Sequence, residues 1–191
     1  MGIGYNAINT QKTNFIKDTT SQPLIGFKCN DDISGHSYQG YFENEQKLGA
    51  GSWICANKSE KMSDLNDVFI CKKAEGNNVS GVLLHNYNQV NGVGDSDNYI
   101  RSGQVFQWAG VHSGVETYLN INTNNASAFN NATYPVPLTY DLTNGGVKVA
   151  NTNDKVICYA ISNIVNNCKM LKVDSQGKAS WESVLGVKVK F

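Results

Sequence analysis

The chain is poor in charge and in proline, has a single arginine, and contains no long apolar run. Charged residues make up 17% of its 191 positions, against about 25% in ordinary globular chains. Asn and Gly fill much of the gap, and because both supply turns, many short connections are expected in place of long solvated helices. Lys plus Arg equals Asp plus Glu at 16 each, which removes the overall positive field that non-specific nucleic-acid binding depends on. Arg101 is the only arginine, and arginine is the preferred group for bidentate contacts to phosphates and base edges. No nucleic-acid partner is therefore expected. No window approaches the ~20 apolar residues of a membrane span, so no membrane partner is expected either. The opening Met1-Gly-Ile-Gly-Tyr-Asn6 lacks the basic and apolar stretches of a secretory signal. Seven lysines within 144–191 stand against Asp154, Asp174 and Glu182 alone, a local excess that reads as a solvated face.

The motifs of common chemistries are missing too. Cys29, Cys55, Cys71, Cys158 and Cys168 form no C-x-x-C pair and have no close His neighbour in sequence, so neither a disulfide framework nor a zinc site is indicated. Cys158 lies in the apolar run Lys155–Ile161, where a thiol behaves as a small hydrophobe. Buried, reduced thiols are expected. His36, His85 and His112 share no metal or nucleophile motif. Gly92-Val-Gly94 lacks the rest of a dinucleotide fingerprint, and Asp95 and Asp97 lack the alternating acids and closing Glu of a calcium loop. Glu43, Glu45, Asp95, Asp97, Glu116 and Asp141 offer carboxylates for a glycosidase pair, as any chain of this size would. No catalytic residue, metal or cofactor is assigned, and an enzyme is not expected.

What is present is one short β-run after another from about Gly40 onward. The clearest are Gly81–His85, Gln104–Trp108, Val115–Leu119, Lys155–Ile161, Lys169–Val173 and Val184–Phe191, all rich in β-branched and aromatic residues. Asn144-Gly145 between Leu138–Leu142 and Val147–Val149 predicts a tight hairpin. Asn57–Asp67 predicts a helical turn or two capped by Asn57 or Ser59. Trp108, alternating with Phe106, belongs to the core. Residues 1–35 differ from the rest, because single hydrophobes recur among polar residues without period 2 or 3.6. Such a segment gains order only against another surface, so Ile3, Tyr5, Phe15, Ile16 and Phe27 are expected to anchor an extended N-terminal arm on a partner. The whole predicts an all-β protein, a compact small barrel or sandwich over 36–191 with that arm in front of it.

The order of segments over 79–191 carries a resemblance. A strand ending Gly81-Val-Leu-Leu-His85 is followed by Ile100–Trp108, Gly114–Asn120, the Asp141–Val149 hairpin, Val156–Ile161 and a closing strand. This resembles the capsid decoration, or cement, proteins of tailed bacteriophages. The resemblance implies a structural virion protein, made in the host cytoplasm, that binds the major capsid protein on the capsid exterior, commonly as a homotrimer. An N-terminal arm would reach across neighbouring capsid subunits. Residues 1–78 are longer than small members would need, and the Asn-rich insert Asn122–Asn131 has no assigned counterpart. The alternative from another class is a carbohydrate- or receptor-binding β-module, which would present Trp53, Trp108, Trp181 or tyrosines on an exposed concave face.

Overall fold

The computed structural model describes residues 22–29, 35–63, 66–85, 102–130 and 132–191, with backbone alone for 58–63, 66 and 67. It is an all-β structure. The described strands are β1 Tyr38–Phe42, β2 Trp53–Ser63, β3 Asn66–Lys73, β4 Gly81–Leu83, β5 Phe106–Gly110, β6 Glu116–Ile121, β7 Val136–Tyr140, β8 Val147–Val149, β9 Cys158–Ala160, β10 Val165–Val173 and β11 Ala179–Lys190. A short helix α1, Thr123–Ala126, runs into a 3₁₀ turn at Ser127–Phe129. Asn122 caps it by accepting the Asn124 N–H at 2.9 Å, and Phe129 tucks into the core.

The strands close two small barrel-like rings, in keeping with the compact all-β fold expected. The first runs β1-β3-β2-β4-β5 and back to β1. Five strands cannot alternate direction all the way round a ring, so one neighbouring pair must run parallel. It is β1 with β3, paired from Gln39↔Val68 to Phe42↔Cys71. The second ring runs β6-β8-β7-β9-β11 and closes from β11 to β6, while β10 hangs on the outside of β11. Its parallel pair is β6 with β8, at Ile121↔Val147. Matching β6, β7, β8, β9 and β11 to β1 through β5 in turn gives the same strand order and the same parallel position. The chain thus repeats one ring topology, with β10 as the addition.

Side chains alternate in and out along the strands as the pleat requires. In β6, Thr117, Leu119 and Ile121 are buried while Glu116, Tyr118 and Asn120 are partly exposed. The first ring has its own core of Phe42, Leu48, Ile54, Leu83, Phe106 and Trp108, with the Phe42 and Phe106 rings 4.5 Å apart. A second core joins the rings: Trp53, Val79, Val82 and Leu84 of the first pack with Leu119, Leu138, Val187 and Val189 of the second. Each such buried aliphatic side chain contributes roughly 1.5–3 kcal/mol. Trp53 also donates its indole N–H to the Gly146 carbonyl at 2.9 Å across the junction. The rings share one core and make one body.

Two local expectations are corrected. Of Asn57–Asp67, the described residues 57–63, 66 and 67 are strand and not helix, since β2 and β3 pair from Ile54↔Lys73 to Ser63↔Asn66. Cap residues and a short polar run are weak local preferences, and a ladder of cross-strand bonds outweighs them. The β7–β8 hairpin is present, but its loop spans residues 141–146, and the positive φ angles fall on Gly145 (75°) and Gly146 (76°). Asp141 causes the shift, because its carboxylate accepts the Thr143 and Asn144 N–H groups at 3.2 and 3.0 Å and so holds an Asx-type turn first. Gly146 is required twice over, since a Cβ there would also run into the Asn120 carbonyl.

Candidate interaction surface

The segment ahead of the rings is built into them over part of its length. Pro23–Cys29 forms a strap that joins β10, β6 and the first ring. On β10, Lys169 donates its N–H to Pro23 O at 2.8 Å and accepts the Ile25 N–H at 2.9 Å. On β6, the Gly26 and Cys29 N–H groups donate to Tyr118 O and Glu116 O at 2.9 and 2.8 Å, and Thr117 Oγ1 donates to Phe27 O at 2.7 Å. From the first ring, His85 donates its N–H to Gly26 O at 2.8 Å. Gly26, at φ 76°, lies so close to the Ala50–Gly51 turn that a Cβ would strike its backbone. Ile25 is wholly buried, its side chain crowding the space that a Cβ would take on Gly51 of one ring and on Gly186 of the other.

The expected arm boundary at 35 therefore shifts, for Leu24–Lys28 bridge to strands of their own chain. Phe27, expected to anchor on a partner, stacks on His85 of the same chain with centroids 4.0 Å apart and planes 14° off parallel. That packing buries the His85 imidazole and lowers its pKa from 6.5 to about 4. Ile3, Tyr5, Phe15 and Ile16 lie outside the described residues. Sequence reading missed Ile25 as a core residue. The signal available was the density of Leu24-Ile25-Gly26-Phe27 directly after Pro23, tighter than the spacing upstream.

Asp141 and Glu116, two of the carboxylates weighed for chemistry, have structural partners. Burial pushes the Asp141 carboxyl up, but hydrogen bonds from the Asn144 N–H and side chain, the Asn125 side chain and the Thr143 N–H more than offset it and hold the pKa below the usual carboxylate range. Asp141 thus ties α1 to the β7–β8 loop. Glu116 is paired with Lys188 at 2.9 Å and Lys190 at 3.4 Å. Glu43 and Glu45 are exposed, and Asp95 and Asp97 lie outside the described residues. The five cysteines are free thiols. Burial pushes Cys71 up to about 12 and Cys168 to about 11, and it also raises Cys158. Such thiols are poor nucleophiles. Among the described residues no group of three or more His, Cys, Asp and Glu could hold a metal ion, and no helix is long and apolar enough to cross a membrane. Trp53 and Trp108 are 5% and 4% exposed, so neither offers a sugar-stacking face, and Trp181 is half-buried.

One recess marks the surface where the rings meet. The turn 47–53 and the end of β3 form one wall, and the loop after β7 and residues 170–173 of β10 form the other, around about 290 Å³ of open space. The segment 79–191 that carries the decoration-protein resemblance takes in β4 and β5 of the first ring as well as the whole second ring, so it is not a closed unit by itself. No protein-family model, no curated protein and no solved structure matches the chain.

Proposed function

We propose that the chain is a structural virion protein that binds the outer surface of a tailed-phage capsid and stabilises it, as a decoration or cement protein. The observation that carries this reading is the strap's path. Among the described residues its first pairing to its own body is at Pro23, on the outer edge of β10. Ile3, Tyr5, Phe15 and Ile16 all lie upstream of that point. The body behind the strap is a pair of closed rings on one core, which suits a unit repeated over a lattice. Residues 1–21 then dock on the major capsid protein by burying those side chains and adding strand hydrogen bonds, and many weak sites summed over a shell give tight decoration.

Phe27 leaves the set of anchors, because its ring is already stacked in its own chain. Self-association as a homotrimer is part of the proposal. The sugar-binding alternative gains nothing from the buried Trp53 and Trp108. The test is co-sedimentation with empty capsids from the same source, comparing the full chain with one lacking residues 1–21. Loss of decoration with an unchanged melting temperature is expected. Full occupancy after that deletion overturns the arm's role, and failure of the full chain to bind overturns the capsid reading.

A further inference from the structure

The β7–β8 loop carries the ingredients of a slow covalent reaction. Asn-Gly occurs in the chain at 91–92, outside the described residues, and at Asn144-Gly145. Asparagine is thermally labile, and most so before glycine, whose missing side chain lets its backbone nitrogen approach the asparagine Cγ. Asn144 is exposed, and Gly145 sits at φ 75° with Asn120 Nδ2, 3.8 Å away, as the nearest group to the place a Cβ would occupy. Among the described residues no backbone carbonyl accepts the Gly145 N–H. The nitrogen that must attack is therefore unblocked.

We propose that Asn144 is a site of spontaneous deamidation, and that its conversion loosens the junction of the two rings. The Gly145 nitrogen bonds to Asn144 Cγ as the Cγ–Nδ2 bond breaks. The proton lost from that nitrogen is matched by the one that the departing NH2 group gains, and ammonia leaves. Water then opens the resulting succinimide at either of its carbonyls, giving aspartate or isoaspartate at 144. The only co-reactant is water.

The consequence follows from what Asn144 holds. Its Nδ2 donates to Asp141 Oδ2 at 3.1 Å and its backbone N–H to Asp141 Oδ1 at 3.0 Å. Aspartate replaces that Nδ2 donor with a second carboxylate beside Asp141, exchanging a charge-assisted bond for a like-charge contact. Isoaspartate lengthens the backbone by one carbon just ahead of Gly145. The Gly146 carbonyl accepts both the Asp141 N–H and the Trp53 indole N–H at 2.9 Å, so a shift of the loop reaches the core that joins the rings.

The test incubates the full chain at mildly alkaline pH, where the Gly145 nitrogen loses its proton more readily, with an unaged sample as baseline. Tryptic peptide 102–148 is followed by mass spectrometry, with fragmentation that locates each converted asparagine. Asn144 is expected to convert before Asn122, Asn124, Asn125 and Asn130 of the same peptide, and the aged chain to melt roughly 3–10 °C lower. The Trp53 indole N–H resonance should move with conversion, while that of Trp108, bonded to Gln39 O inside the first ring, stays in place. Asn144→Gln, whose longer side chain closes the imide far more slowly, should abolish the drift in melting temperature. A drift that persists in that variant traces to other sites such as Asn91 and overturns the proposal. Asn144→Asp should start at the lower melting temperature, and adding Asp141→Asn, which restores a donor opposite the new carboxylate, should regain part of the loss. An Asn144 that outlasts the other asparagines also overturns it, as does a converted chain with unchanged melting and an unmoved Trp53 signal.

Discussion

The two rings have the same strand order, but they are sealed differently. In the first, β1 and β3 pair over four residues, Gln39–Phe42 with Val68–Cys71, and the ring closes with its own strands. In the second, β6 meets β8 at Ile121↔Val147 alone. The rest of that β6 edge is taken by the strap, through the Gly26 and Cys29 N–H groups. A small barrel is stable only when no strand edge is left open. The second ring meets that requirement by borrowing Pro23–Cys29 from the N-terminal segment. Residues 23–29 complete the fold, and the proposed function gives residues 1–21 to a partner.

The strongest way to break the comparison is truncation. Removing residues 1–21 is expected to leave stability to denaturant unchanged, whereas removing 1–29 should cost at least about 4 kcal/mol, from the burial of Ile25 and several backbone hydrogen bonds. Next comes Ile25→Ala, expected to cost about 2–5 kcal/mol for a fully buried aliphatic. Phe42→Ala inside the first ring should cost about 3–5 kcal/mol. Because the rings share a core, both variants should unfold in one transition, and two separated transitions would contradict the joined core.

A pH series sharpens the comparison further, since His85 lies where strap and first ring meet. The folded chain protonates His85 only near pH 4, the unfolded chain near 6.5, so between those values the unfolded state binds more protons. Stability should therefore fall as pH is lowered from 6.5 to 4, by at most ~1.4 kcal/mol per unit, and His85→Phe should remove most of that slope. Trp53→Phe deletes the bond to Gly146 across the junction and is expected to cost about 1 kcal/mol. Smallest is Lys190→Ala on the exposed side of the Glu116 pair, expected within about 0.5 kcal/mol.

The sequence disclosed strands better than it disclosed their partners. Runs such as Gln104–Trp108 and Val184–Phe191 carry their β character in residue type and alternation, and they lie within or across β5 and β11. Ring closure was hidden, because β1 with β3, or β9 with β11, is a pairing between distant segments that alternation cannot name. The Asn57–Asp67 error has the same origin: cap residues act locally, while the competing β3 partner comes from the other arm of a hairpin. Gly145 marked a turn correctly, but the carboxylate of Asp141 decided which residues took positive φ. Of the surface features, the strap left a faint trace in Leu24–Phe27. The recess left none, since its two walls come together only through the packing of one ring on the other.

The most direct measurement is amide hydrogen exchange of the full chain in dilute solution, where no second copy is bound. Ile25, Gly26 and Cys29 are expected to exchange as slowly as Leu119 and Val187 of the second ring's core, because opening the strap would open that ring. Exchange of those three amides at the rate of an unstructured peptide, with the ring core still protected, would contradict the strap as its seal.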